Sequence, residues 1–468
     1  MSPERTRPSS DLIDRAGREI LGVLSPSQLR RDAEGIAPYG RDDSDAGEFP
    51  PDLVVFAEST RDVSHILRTC QGLGVPVTPV AARTGKSGGS LPVYGGVSLS
   101  LERMNRILSL SPVDLTAVCQ PGVITGELMR AAEEVGLFYP PDPNSWETCT
   151  LGGNVAENAG GPRALKYGVT RNYVLSLEWV LPSGEVLRVG HRTLKGVAGY
   201  DLVGLFVGSE GTLGIATEIT LKLLPRPRHV TTALVLFPSV ADAARATTRV
   251  LSEGILPAAL ELLDDVAVRA VDGRGYPFPP GTGAALIVEV DGSDADALLG
   301  EVARIGELCA HQSATETVVA SDAGQRARLW SARRSVSPAL RALARHKLSE
   351  DLVVPRSRIP EVIDRLKAMG AELGLSVATY GHAGDGNLHA NVLYEGAHQR
   401  AAVDEAVARM MRIAVEAGGT ITGEHGVGIA KRAFLPIEQS AELIALQRRL
   451  KDLLDPRGVL NPGKIFGP

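Results

Sequence analysis

Three glycine-rich loops constrain this chain more than any other feature: ARTGKSGGS (82–90), TLGGNVAENAGGPRALKYG (150–168) and GSEGTLGIATE (208–218). Without a Cβ the backbone can approach a ligand closely, and clustered N–H groups attract an anion. One such turn by itself closes a hairpin as readily as it binds. Three in one half of a chain point to a dinucleotide. Around them, apolar runs at 53–57 and 75–81 read as strands and 60–70 reads as a helix, with further strands at 97–101 and 115–121 and LKLLP (221–225) closing the half. Two familiar fingerprints are absent. TGKSGG (84–89) carries the Gly-Lys-Ser of a phosphate loop, but Val80 stands where that loop needs glycine. GLGVP (72–76) follows a helix and lacks the third glycine of a Rossmann turn.

The second and third loops, with PPDPNS (140–145) and KGVAGYDL (195–202), resemble the FAD-binding domain of the vanillyl-alcohol oxidase superfamily. The resemblance implies FAD, extended between two α+β subdomains. It implies that Arg83, Thr84, Gly85, Ser87 and Gly88, with Asp142 and Ser145, hold the pyrophosphate. Thr150, Gly153, Asn158 and Gly161 would line the flavin, and Glu210, Gly211 and Ile215 would meet the adenosine end. The chain departs from that family at Ala81, Ala82 and Arg83, where glycine is common. Some relatives tether the flavin through a histidine near this loop. Residues 81–90 hold neither His nor Cys, so FAD is expected to be non-covalent.

The proline-rich stretch 225–227 reads as a boundary. Beyond it strands and helices alternate again, with strands at TTALVLF, ALIVEV, LVVP and 375–380. Helices are expected at 240–253, 294–309, 323–345, 359–373 and 399–417. Ahead of the first domain, 11–33 reads as helical. The expected division is therefore an N-terminal helical segment (1–48), an FAD-binding domain (49–227) and a C-terminal substrate and metal domain (228–468), whose tail at 455–468 returns to the FAD site. The expected fold class is α+β: a two-subdomain FAD-binding domain of the PCMH type, then an α+β cap domain with a largely antiparallel sheet.

Chemistry concentrates near the end. GHAGDGNLH carries His382 and His389 on either side of a Gly-Asp-Gly turn, which can bring both imidazoles to one point. TGEHGVG carries Glu424 and His425. Two histidines and a carboxylate commonly hold a divalent ion with positions open for substrate. These motifs, with LELLD (260–264), the 330–334 segment, EDLVVPRS (350–357) and LNPGK (460–464), resemble the glycolate oxidase flavoprotein subunit and the D-lactate and D-2-hydroxyglutarate dehydrogenases. By that resemblance His382, His389 and Glu424 ligate the metal, with zinc or manganese expected. His425 is the general base and Arg333 pairs the substrate carboxylate, with Lys347 a second substrate candidate.

The residue types suit that reaction on chemical grounds. Oxidising a 2-hydroxy acid moves a hydride from Cα to flavin, and the hydroxyl proton needs a base titrating near neutrality, as His does. Two other readings compete: a non-catalytic flavoprotein subunit that relays electrons, and a non-redox flavoenzyme of the alkyl-glycerone-phosphate synthase type. A relay subunit has no use for the histidine loops.

Composition limits the partners. The net charge of −6 is spread along the chain, with no basic tract for nucleic acid. The four cysteines, Cys70, Cys119, Cys149 and Cys309, form no CxxC pair and no iron–sulfur ligand set. Electrons must then leave to a separate acceptor: oxygen, a quinone, a cytochrome, an electron-transfer flavoprotein or an iron–sulfur subunit. A homodimer is one option for assembly. The N-terminal MSPERTRPSS has no apolar core of a secretory signal, and no apolar run spans a bilayer. A cytoplasmic protein is expected, with any membrane attachment through a partner.

Overall fold

The computed structural model describes Thr6–Phe466. Its contacts divide the chain into two discontinuous units. The first comprises residues up to Ala159, then Val169–Arg226 and the final stretch from Glu424. The second comprises Gly160–Gly168 and Pro227–Gly423. One junction falls between Arg226 and Pro227, and the first unit holds both the N-terminal segment and the whole stretch from Glu424.

In the first unit, strands Leu53–Phe56 and Val77–Val80 run parallel on either side of Val97–Ser100, with Leu29–Arg30 at the edge. Both faces of such a sheet are covered, so its strands read as continuous apolar runs. Helix Thr60–Leu73 is capped by the Ser59 hydroxyl and ends at Gly74 in the left-handed region. It packs Val63, Ile66 and Leu67 onto Leu53, Val55, Val97 and Leu99. Burying each such side chain stabilises by about 1.5–3 kcal/mol. The N-terminal helix adds Ile13, Ala16 and Ile20 to that core. It spans only Ser10–Leu21, where 11–33 read as helical. Gly22 closes it, and Pro26 opens a 3-10 turn leading into the edge strand. The second sheet of this unit is antiparallel, in the order Ile107–Ser111, Thr116–Cys119, Ile215–Lys222, Val174–Val180, Val186–Gly190.

The second unit is built on a seven-stranded sheet, antiparallel at every pairing. Its order is Glu316–Val319, His229–Phe237, Ala284–Gly292, Ala259–Asp264, Ser376–His382, Asn387–Tyr394, His346–Val353. Helices Val240–Ser252, Ala295–Ala310, Ile359–Leu373 and Arg400–Glu416 belong to one layer. Helices Asp265–Val271, Ala323–Arg334 and Val336–Arg341 pack with Leu263, Ala378, Tyr380 and Leu393 on the other side. The helix expected over 323–345 breaks at Ser335. Pro338 offers no N–H and its ring clashes with the carbonyl four residues earlier, so the helix restarts and then gives way to strand His346–Val353.

Candidate functional site

All three glycine-rich loops of the first unit open onto one cavity. Arg83, Thr84 and Gly85 line it from the first loop. Thr150 and Gly153 line it from the second, and Glu210, Gly211 and Ile215 from the third, with Ser145 alongside. Each loop holds one non-glycine residue in the left-handed region: Arg83 at φ +58°, Asn158 at +56° and Glu210 at +52°. L-residues seldom sit there, and such strain, of order 1–3 kcal/mol, collects at functional loops. Arg83 thus keeps a backbone that glycine would adopt freely. The Arg83 guanidinium lies over the Tyr39 ring at 4.5 Å. Asn158 ends helix Leu151–Glu157, whose N-terminus is capped by the Thr150 hydroxyl.

The lining fits a large polar ligand. Arg83 Nη1, Glu157 Oε2, Trp179 Nε1 and Asn461 Oδ1 are buried around the cavity without a hydrogen-bond partner. Leaving such a group unsatisfied costs about 1–3 kcal/mol. A Cβ added at Gly85 would meet no protein atom within 4 Å, so the backbone there is bare toward a ligand. These features suit FAD: a cation and exposed backbone for the pyrophosphate, buried polar groups for the ribityl chain and ring edges.

Five expected cofactor residues lie off this lining. Ser87 and Gly88 support the loop that carries Glu424: the Ser87 carbonyl accepts from the N–H groups of Ile429 and Ala430, and Gly88 packs against Ile429. Asp142 and Asn158 flank lining residues. Gly161 falls in the short segment grouped with the second unit. Cys149 does line the cavity. Its buried thiol is pushed up by desolvation and lies 3.3 Å from the Thr125 hydroxyl.

Glu424 and His425 line the same cavity. The Glu210 carboxylate accepts from the N–H groups of Val427 and Gly428, both at 2.7 Å, which locks the loop's backbone. Gly426, at φ +76°, approaches so closely that a Cβ would come 2.0 Å from Glu157 Oε2. Burial and the neighbouring Glu210 push the Glu157 carboxyl well above the ordinary carboxylate range, which favours its protonated form. Glu157, Trp179 and Asn461 escaped sequence reading. A lone carboxylate among small residues, as in NVAEN, was the available signal for Glu157.

In the second unit one sheet face gathers the remaining polar groups. Side chains alternate along a strand, and the pairings Tyr380↔His389 and His382↔Asn387 put these four on one side. Asp351↔His389 and Ser349↔Asn391 extend that face into the next strand. The His382 and His389 rings meet edge to face at 5.2 Å, and each offers a ring nitrogen within 4.8 Å of the other's. His382 Nδ1 lies 2.6 Å from Glu261 Oε1. Arg333, in the last turn of its helix, is buried rather than on the surface. Its Nε and Nη2 both lie 2.6 Å from Glu261 Oε2, and its guanidinium sits 4.8 Å from the Tyr380 ring centroid. Against the cost of burial, Arg333 and His382 hold the Glu261 carboxylate down at about 2. Lys347 Nζ donates to the Ser337 hydroxyl at 2.6 Å. Asp351 accepts from the Asn387 amide, the Thr422 hydroxyl and the Gly423 N–H. It thus ties Gly423 to the strand position paired with His389.

Residues 51–190 match the family described as FAD binding domain, and residues 226–465 match FAD linked oxidases, C-terminal domain. The chain is 40% identical to the glycolate oxidase subunit GlcD of Bacillus subtilis (strain 168), over 96% of each chain. It is 36% identical to a D-lactate dehydrogenase of Anaerostipes hadrus, over 90% of each. Among solved structures, 4-ethylphenol oxidase from Gulosibacter chungangensis shares the fold with a TM-score of 0.80 at 21% identity, covering 99% of both chains. An alkyldihydroxyacetonephosphate synthase shares it at 0.76 and 20% identity, over 99% of this chain and 87% of that one. The PCMH-type fold is therefore the one observed. Among the described residues no helix is long and apolar enough to cross a membrane. With an FAD-binding domain and a matched oxidase domain spanning residues 51–465, and with relatives this similar along almost its whole length, the chain belongs to the family of FAD-linked oxidoreductases that includes the glycolate oxidase subunit GlcD and D-lactate dehydrogenase.

Proposed function

We propose that the chain oxidises a small 2-hydroxy carboxylic acid, of the D-lactate or glycolate type, to the 2-oxo acid. The observation that carries this reading is the place of His425, a proton acceptor lining the cavity formed by the three glycine-rich loops. FAD, when bound, would supply the hydride acceptor, and a divalent ion, zinc or manganese, would supply a positive charge beside the substrate hydroxyl. His382, His389 and Glu424 would hold that ion. Arg333 pairs the substrate carboxylate. Glu261 occupies only part of its five-donor fork, which leaves Nη1 for the ligand. Lys347 is a second cation for the same end of the substrate. His425 takes the hydroxyl proton.

The names of the relatives point the same way: a glycolate oxidase subunit and a D-lactate dehydrogenase. The four cysteines are buried, free and dispersed, in keeping with electrons leaving to a separate acceptor. Anaerobic mixing of the purified protein with a panel of D- and L-2-hydroxy acids tests the reading. D-lactate or glycolate is expected to bleach the flavin. An unbleached flavin across the panel would refute the reading.

FAD is expected to be held without a covalent bond. The first loop contains no His or Cys, and the raised thiol of Cys149 is a poor nucleophile. Acid precipitation should leave the yellow colour in the supernatant. Flavin fluorescence retained on the denatured polypeptide would contradict this.

A further inference from the structure

We infer that Glu261 is a positioning residue that sets one metal ligand and the carboxylate-binding arginine with a single carboxylate. The inference rests on the proposed metal and substrate roles of His382 and Arg333. It adds a residue that neither the glycine-rich loops nor the histidine motifs contain.

The sheet register puts Glu261 where it can do this. Leu262 pairs with Gly381 and Leu263 with Tyr380 in antiparallel register. One residue further, Glu261 therefore stands opposite His382 and on the same face of the sheet. The strand ALELLD is buried along its whole length, and Glu261 is fully buried. An acidic side chain in such a strand is costly unless it is paired. Here both oxygens are used. Oε2 receives Nε and Nη2 of Arg333, and Oε1 meets Nδ1 of His382.

The two halves have different consequences. A hydrogen bond from Nδ1 to a carboxylate places the imidazole proton on that nitrogen and turns the Nε2 lone pair outward as the ligand. It also fixes the plane of the ring, which stands edge to face with His389. On the other side, Oε2 and the Tyr380 face hold the guanidinium plane. A 2-hydroxy acid carries its hydroxyl and its carboxylate on adjacent carbons. The groups proposed to receive these two ends, the metal ligand His382 and Arg333, are thus spaced by the two oxygens of one side chain. An ion pair that served stability alone would need only Arg333. The contact to His382 is what gives Glu261 its positioning role.

Glu261→Gln tests this in the full FAD-containing protein. Its amide cannot accept from both Arg333 and His382. FAD content and the flavin spectrum should match wild type. The zinc dissociation constant, measured by chelator competition on metal-stripped protein, should rise roughly 10- to 100-fold. At saturating zinc the KM for the hydroxy acid should also rise, and Glu261→Asp should recover part of both losses. A zinc constant within about threefold of wild type, well short of that expected rise, overturns the assignment. If Glu261→Gln fails to accumulate, Glu261→Gln combined with Arg333→Met removes both charges and is compared with Arg333→Met alone. The zinc constants should again differ about tenfold, and equal constants overturn the assignment. His389→Ala is measured alongside. If wild type binds one zinc that His389→Ala loses while Glu261→Gln keeps it, the assignment of Glu261 fails and the metal site stands. If wild type and His389→Ala bind zinc alike, the metal reading fails, and the assignment of Glu261 falls with it.

Discussion

Replacing His425 with Asn is expected to slow anaerobic flavin reduction by roughly 100- to 10,000-fold while FAD and metal stay bound. That range corresponds to about 3 to 6 kcal/mol of barrier at ~1.4 kcal/mol per decade. The loop has backbone anchors of its own. Its backbone is held by the Glu210 carboxylate at Val427 and Gly428 and by the Ser87 carbonyl at Ile429 and Ala430. The substitution should therefore remove a proton acceptor and leave the cavity wall in place. Stopped-flow reduction with saturating hydroxy acid gives the rate, and metal analysis of the same sample gives the control. Glu424→Gln should behave differently. It should weaken metal binding first and lose rate as a consequence, with partial recovery in excess metal. The division of labour between these neighbours is wrong if His425→Asn releases the metal, or if its reduction rate stays within about threefold of wild type.

The other large effect should come from His389→Ala. It should abolish stoichiometric metal binding and lower turnover by on the order of 100-fold or more, since a bound cation contributes several kcal/mol to such a reaction. The flavin spectrum should not change, because His389 is not among the residues lining the cavity of the glycine-rich loops. The fold should survive as well. His389 lies on a strand paired on both sides, to Asp351 and to Tyr380, and those ladder bonds belong to the backbone. Full turnover in protein shown by elemental analysis to be metal-free would remove the metal from the mechanism.

Local pattern was enough for much of this molecule. The strands at 53–57 and 97–101, the helices at 60–70, 240–253, 359–373 and 399–417, and the loops that open onto the cavity follow from hydrophobic period and from glycine. The histidines on either side of the Gly384–Gly386 turn do lie side by side on a hairpin, because a tight turn between antiparallel strands leaves little choice of register. Where the sequence misled, a competing local signal was present. The helical composition of 323–345 hid the break near Pro338. The polar alternation Lys347, Ser349, Asp351 hid the first part of a strand read only from LVVP, because those residues face the buried polar side of the sheet.

What the sequence by itself determined is the inventory of candidates: the glycine-rich loops proposed for a phosphate-bearing cofactor, and the side chains proposed to bind a metal and to move a proton. Those follow from properties carried within a few residues. Only the tertiary structure decided which distant residues complete each set. Glu261 meets His382 across 121 positions of sequence and Arg333 across 72. Asn461 lines a cavity begun at Asp43, and Glu210 clamps a loop more than 200 residues further on. Contacts of that range depend on strand order and on the path of the chain back into the first unit. A periodicity reports only which face of an element is buried, and not what that face will meet.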